Sequence, residues 1–362
     1  MNVSPEDFFL VLPHMVNSFF INRPQTLLSI AGEKGGGKSE VSEIIKKTLD
    51  PSSTLTLHMP KNRDELLQTL DHHFYPCYDN VGYLSYEFSD VLCRTLTGAG
   101  TFKRQLWTDD EEFIRVFLKS VNINGINVVV VKEDLLDRTI LIFVLPFDGN
   151  RKTEQELEDT FNKSLPFILH DLYTLISKVI SLLPNIETPR QFRMIDFAKV
   201  GCAVAKALGN DEQLFIDIYT KKLVTQIKEA IYNNVLGNVL LCFMEDKEEW
   251  SGSSTNLYVA LKDFAKNTMQ VSTRVKDFPT APNVMSRHIN DLIDAFSKIG
   301  IQLEHDRNAI ARGWTIINHN FNTSNEIVCS DCGNKLGHER YPRDDGKEYC
   351  RDCNRKRMEG SQ

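Results

Sequence analysis

The sequence predicts an α/β protein. Its parts are a phosphate-loop core on a parallel sheet, a helical lid, a winged-helix unit and a C-terminal zinc ribbon. Three observations carry this. The stretch Gly32-Glu-Lys-Gly-Gly-Gly-Lys38-Ser39 follows an apolar run and opens a helical pattern. From Thr26 to about Pro146, apolar runs alternate with polar helical segments, as a parallel sheet with crossover helices requires. Two Cys-x₂-Cys pairs, Cys329/Cys332 and Cys350/Cys353, stand seventeen residues apart near the C-terminus.

A chain of 362 residues has room for two or three domains with cores of their own. Its 41% hydrophobic and 25% charged content are ordinary for a soluble globular protein. It lacks an unbroken run of about 18 apolar residues, so no membrane span is expected. Glu6 and Asp7 stand where a signal peptide would be basic, and a cytoplasmic location is the expectation. A net charge of -7 argues against wholesale coating of nucleic acid but leaves room for a local basic groove. Cys77, Cys93, Cys202 and Cys242 lie among apolar residues and read as buried, reduced thiols.

Residues 1–25 form a helical lead-in and 26–150 the core, with candidate strands at "TLLSI", "STLTLHM", "HHFYPCYDN", "INVVVV" and "TILIFVLP". Residues 151–245 turn to helical periodicity and form the lid. "EDKEEWSGSS" reads as a linker. The winged-helix unit covers 246–322: helix "STNLYVALKDFAKN", a Pro-rich break, helix "SRHINDLIDAFSKIG", then two strand-like runs around Arg307 and "GWTIIN". Residues 323–362 hold the zinc ribbon and a basic tail.

Gly32 to Ser39 satisfies G-x-x-x-x-G-K-[ST]. Gly32, Gly35, Gly36 and Gly37 let backbone N–H groups turn inward around phosphates, and the following helix, which carries Glu40 in its first turn, adds its positive end. Lys38 can reach the β- and γ-phosphates of ATP, and the Ser39 hydroxyl can ligate Mg²⁺. Such a site also needs an acid at a neighbouring strand end. Asp79 supplies it, with a plain turn residue as the competing reading. Asn80 beside it cannot accept a proton, so Glu87 or Asp90 could serve as base, or positioning alone could suffice. Asn122 and Asn124 precede the "INVVVV" strand, either to orient the attacking water or as a turn. Arg138 ends a helix at a corner suited to an arginine finger, with a surface salt bridge as its rival.

The ordered segments "GEKGGGKS", "YDN", "SDVLCRTLTGAGTFKRQLWTDDEE", "NINGIN", "DLLDR" and "PRQFRMIDFA" resemble the AAA+ ATPases of phages, plasmids and integrated mobile elements. Those are related to superfamily 3 and minichromosome-maintenance-type replicative helicases. The resemblance spans roughly residues 25–320. It implies a ring, a hexamer, with nucleotide at subunit interfaces. It makes Asp79 the magnesium-binding acid, Asn124 the water-sensing residue, Arg138 the trans-acting finger and Arg193 the lid arginine, with Arg190 as a second choice. It also implies a channel hairpin over Thr97–Asp110, with Lys103 and Arg104 at its tip touching phosphates of the DNA strand; a solvated loop is the alternative. Priming is expected from a separate primase.

The spacing C-x₂-C-x₁₇-C-x₂-C is that of a structural Zn²⁺ site, with His338 as a weaker substitute ligand. Ser286, Arg287 and His288 begin the candidate recognition helix, and Arg287 is its candidate DNA contact; a packing role for the wing competes. The resulting expectation is an ATP-dependent DNA helicase or translocase of a mobile element, binding ATP, Mg²⁺ and Zn²⁺. The alternatives are an ATP-switched DNA-binding regulator or loader, and an antiphage-defence ATPase.

Overall fold

The computed structural model describes residues 1–99, 101–104, 112–126, 130, 132–146, 149, 152–187, 189–270, 278–306, 313–321, 341–342 and 348–349. Helix α1 (Pro5–Ser18) starts at Ser4, whose hydroxyl accepts from the Asp7 amide at 3.0 Å. It leads into β1 (Leu27–Ala31), α2 (Lys38–Leu49), α3 (Arg63–His72), β2 (Cys77–Tyr78) and α4 (Tyr86–Thr97). There follow an antiparallel hairpin of β3 (Thr101–Arg104) and β4 (Glu112–Arg115), then β5 (Val121–Asn124), α5 (Glu133–Leu136) and β6 (Thr139–Phe143).

Strands β2, β5, β1 and β6 form one parallel sheet in that order. All five residues of β1 are buried, which explains why "LLSIA" reads as a continuous apolar run and not an alternating one. In register, Leu27 faces Val121 and Thr139, while Ile30 faces Asn124 and Ala31 faces Phe143. The loops after β1, β2 and β5 therefore leave from the same edge.

Two strand expectations need correction. "STLTLHM" contributes only a bridge, Leu57 to Tyr78. The strand expected at "INVVVV" lies earlier, at Val121–Asn124, so Asn122 and Asn124 are inside it; residues 127–129 and 131 lie outside the described residues. Two asparagines in four residues look like a turn, but here their amides are buried and hydrogen-bonded, so the strand tolerates them.

The segment expected as a helical lid holds α6 (Glu154–Leu182), α7 (Ile195–Ala207) and α8 (Glu212–Asn233). A capping box of Thr153 and Glu156 starts α6. Among the described residues, the segment 154–185 is the one helix long and apolar enough to cross a membrane, by length and composition only. His170, Asp171 and Lys178 interrupt it, so it escapes a search for an unbroken apolar run. Its Leu172, Leu175 and Val179 are buried in the same cluster as the apolar face of α7.

The packing of α7 on α8 is aromatic. Phe215 stacks on Tyr219 (centroids 5.4 Å apart), and Phe197 meets both rings edge-on. Gly201 of α7 lets Phe215 of α8 come this close.

The rest of the chain holds α9 (Val235–Met244), β7 (Glu249–Ser253), α10 (Ser254–Asn267), α11 (Pro282–Asn290), α12 (Ile293–Lys298), β8 (Ile301–Asp306) and β9 (Gly313–Asn318). The three strands form an antiparallel sheet in the order β7-β9-β8. The second half of the expected linker "EDKEEWSGSS" is thus mostly strand β7, pairing Trp250 with Ile316. The helix expected from Ser286 starts earlier, at Pro282, and breaks into α11 and α12, so Ser286, Arg287 and His288 sit in the second half of α11. Arg287 and His288 are exposed, whereas Ser286 accepts a hydrogen bond from buried Trp314 at 3.2 Å. Arg307 lies outside the described residues, as do Cys329, Cys332, His338, Cys350 and Cys353. Between the two cysteine pairs, β10 (Tyr341–Pro342) and β11 (Glu348–Tyr349) pair antiparallel.

A Cβ on Gly201 would stand 2.1 Å from Phe215 Cζ. Gly201→Ala is therefore expected to lower stability by about 1–3 kcal/mol, read as a fall in the urea midpoint.

Candidate nucleotide site

The turn from β1 to α2 is shaped by three glycines at positive φ: Gly32 (148°), Gly35 (81°) and Gly37 (90°). At Gly32 closeness matters as well, since an added Cβ would meet the Val144 carbonyl oxygen at 3.0 Å. Gly37 caps α2, whose first residues are Lys38 and Ser39. Lys38 Nζ donates to the carbonyls of Gly32 (2.9 Å) and Glu33 (2.7 Å). It is folded onto its own loop, where it can exchange two carbonyls for phosphate oxygens without leaving the site.

Ser39 Oγ donates to Asp79 Oδ1 at 2.8 Å, bringing together residues 40 positions apart. Asp79 follows β2 directly, and its amide donates to the Leu57 carbonyl at 2.8 Å. A hydroxyl and a carboxylate side by side at a helix N-terminus are a fitting donor pair for Mg²⁺, which takes one or two protein oxygens and fills its shell with water and phosphate. Among the described residues, no three His, Cys, Asp or Glu side chains converge on a metal position.

Asn124 ends β5 beside this pair and is buried. Its Oδ1 accepts from the Asn80 amide at 3.0 Å and its Nδ2 donates to Ser42 Oγ at 3.0 Å. Ser42 Oγ in turn donates to Asn122 Oδ1 at 2.9 Å. Asn124 thereby ties the Asp79-Asn80 turn to β5 and α2, and helps hold Asn80 at φ 53° with its side chain exposed. Of the candidate bases, Asp90 is ion-paired to Lys132, and Glu87 is exposed on α4.

Sequence reasoning missed two side chains here. Ser42 joins the two asparagines. Glu43, one turn after Ser39, has its carboxyl pushed up by burial and by the charges of Glu40 and Asp79, against the pull of Lys47. The spacing of Ser39 and Glu43 at i,i+4 was the available signal. A cleft of about 1220 Å³ opens beside the loop, bounded by Lys38, Ser39 and Glu43 of α2, by Phe8 and Leu12 of α1, and by Phe161 of α6.

A second buried polar chain anchors α1. His14 is fully buried, with Nδ1 hydrogen-bonded to Thr26 Oγ1 and Nε2 to the Tyr75 hydroxyl, both at 2.8 Å. Burial pushes His14 down to about 3, so it is neutral.

Arg138 and Arg193 are elsewhere. The Leu27 amide donates to the Arg138 carbonyl at 3.0 Å, which puts Arg138 at the start of β1 and β6, opposite to the phosphate loop. Five residues of strand, about 16 Å, separate the two edges. There Arg138 Nη1 pairs with Asp134 Oδ1 at 2.7 Å. Arg193, just before α7, pairs with the same Asp134 and with Asp137 Oδ2 at 3.2 Å. Burial works to raise the Asp134 carboxyl, but hydrogen bonds from Arg138 and Cys93 and the two guanidinium charges hold it down to about 2.

The hairpin differs from expectation. Gly98 (φ 76°) is the C-cap of α4, so that helix reaches into the stretch expected to be hairpin. Lys103 and Arg104 are strand residues of β3, in register with Phe113 and Glu112; residues 105–111 lie outside the described residues.

The profile of a family described as the actinomycete integrative conjugative element replication protein matches residues 5–217. A second profile, described as the AICE RepA C-terminal domain, matches residues 236–325. No curated protein is significantly similar to the chain. Among solved structures, JCV helicase bound to a small acetamide ligand is 14% identical over 58% of this chain and 68% of that chain, with a TM-score of 0.28. The C-terminal region of NrS-1, in an apo form, is 13% identical over 85% of this chain and 70% of that chain, with a TM-score of 0.36. Both likenesses are distant.

The depressed His14 sets a pH dependence of stability. Its folded-state value lies below the ordinary 6.5, so the unfolded chain takes up the proton first. Stability is expected to be fully present above about pH 6.5 and to fall below it by about 1.4 kcal/mol per pH unit. Urea titrations between pH 7 and 5 should show this slope, and His14→Gln should flatten it whatever its own midpoint.

Proposed function

This chain belongs to the replication proteins of actinomycete integrative conjugative elements, and on that premise we propose that it is a ring-forming, ATP-hydrolysing DNA motor of mobile-element replication. The observation that carries the reading is the division of its charged groups between two edges of one sheet. Lys38, Ser39 and Asp79 form a nucleotide half-site at one edge, and Arg138 and Arg193 lie about a strand's length away at the other. In one chain the arginines do not reach its own phosphate loop. A neighbouring copy can bring them, as ring ATPases require.

In this reading the loop amides and Lys38 hold the β- and γ-phosphates of ATP, and Ser39 and Asp79 hold Mg²⁺, which would offset charge on the phosphate oxygens. Asn124 keeps the Asp79-Asn80 turn in place, and the neighbour's Arg138 stabilises charge in the transition state. Lys103 and Arg104 of β3 contact phosphates of a single strand in the channel. The order α9-β7-α10-α11-α12-β8-β9, with sheet order β7-β9-β8, supports a winged helix that offers Arg287 to DNA. Zn²⁺ held by Cys329, Cys332, Cys350 and Cys353 is supported by their spacing and by the β10–β11 pairing between the two pairs.

ATP hydrolysis should depend on Lys38 and rise severalfold with single-stranded DNA. Lys38→Ala and Arg138→Ala should each be inactive alone, yet mixing them should restore part of the rate, because one supplies the arginine and the other the loop. Failure of the mixture to recover activity would rule out the shared site. A Lys38-dependent rate indifferent to DNA would favour an ATP-switched regulator or loader. Metal analysis should find one zinc per chain, lost in a Cys329→Ser/Cys332→Ser variant.

A further inference from the structure

The arginines at the far edge belong to a longer array. Arg138, Asp134, Arg193, Asp137, Lys298 and Glu133 form a chain of alternating charge. Lys298 Nζ lies 2.9 Å from Glu133 Oε1 and 3.2 Å from both carboxylate oxygens of Asp137. The array joins three separate parts of the sequence. Glu133, Asp134 and Asp137 come from α5 and its C-cap, Arg193 from the segment entering α7, and Lys298 from the last position of α12. Five of the six, with Asp294 and Ser297, line a cavity of about 510 Å³. An anionic group therefore has space to approach Arg193, which is 45% exposed.

Phosphate oxygens reaching Arg138 or Arg193 must compete with Asp134 and Asp137, which already hold both guanidinium groups. Lys298 shifts that competition. Its charge neutralises Glu133 and Asp137, so Arg193 faces carboxylates that are already partly satisfied. Without Lys298, the same carboxylates would hold Arg193 more firmly, since a unit charge about 3 Å away matters even in a partly wet site. Lys298 also has a natural input. Only two residues, Asp291 and Leu292, separate α11, which carries Arg287 and His288, from α12, which carries Lys298.

Granted the trans role of Arg138 and Arg193 proposed above, we propose that Lys298 is a positioning residue. It sets how readily the two arginines leave Asp134 and Asp137 for a neighbouring subunit's triphosphate, and so links what α11 binds to hydrolysis next door.

The test is the steady-state ATPase rate of the full-length chain against ATP concentration. Lys298→Met keeps the length of the side chain and removes its charge. It should lower kcat severalfold with little change in KM, and Lys298→Arg should keep the rate. Adding Asp137→Asn to Lys298→Met should recover it, because the excess negative charge is gone; a merely structural contact would not be rescued by losing its second partner. An unchanged kcat in Lys298→Met, or no recovery in the double variant, would overturn the proposal. Arg193→Ala measured alongside separates the two readings. If it lowers kcat and Lys298→Met does not, the trans arginine stands and the coupling falls. If neither variant lowers kcat, both fall.

Discussion

Strand β1 is hydrogen-bonded on both sides, to β5 and β6, and buried along its whole length, and that confinement organises the molecule. A strand so enclosed can release its loop only at its C-terminal edge, where Val144, directly after the neighbouring strand β6, already stands against Gly32. Parallel pairing then brings the ends of β2 and β5 to the same edge, so Asp79 and Asn124 arrive beside Ser39. The same pairing carries the residue before β6, Arg138, to the opposite edge. One geometric constraint thus sets Asp79 against Ser39 beside the glycine loop and keeps the arginines away from them.

Buried polar groups make that assembly rigid. Ser42 hydrogen-bonds to Asn122 Oδ1 and to Asn124, and Asn124 to the Asn80 amide, while His14 locks Thr26 to Tyr75 across the N-terminal helix. Each such group left without a partner would cost about 1–3 kcal/mol, so the network favours one arrangement over near alternatives. Asn122 Nδ2 is one of the few buried side-chain atoms among the described residues that lacks a partner. At the other edge the electrostatics are softer. Arg193, Asp134 and Lys298 are each more than a third exposed, where ion pairs exchange easily. The molecule therefore combines a fixed edge at the glycine loop with an adjustable arginine edge.

Local rules of sequence reached some of this and missed the rest for physical reasons. Gly32 to Ser39 announced its conformation because positive φ and close approach are demands that glycine alone meets cheaply. Asp79 was legible because an acid directly after a short apolar run marks a strand end. Asn122 and Asn124 were misplaced because residue polarity suggests solvent, whereas their partners Ser42 and the Asn80 amide come from distant sequence. "EDKEEWSGSS" looked like a linker because an exposed edge strand carries few apolar residues; its pairing with β9 made it a strand. Lys103 and Arg104 were expected at a hairpin tip, but their pairing with Phe113 and Glu112 places them within β3.

By itself, then, the sequence determined what depends on a few consecutive residues: the phosphate loop, the helix caps, the alternation of strands and helices, and the spacing of the cysteine pairs. Tertiary structure decided what depends on residues meeting across long separations. It placed Ser39 against Asp79 and closed Asn124 inside a buried network. It also joined Arg193, Asp134, Asp137 and Lys298 at the edge away from the loop. Short-range conformational preference is written in neighbouring side chains, whereas charge partners and burial are set by which distant segments the sheet brings together.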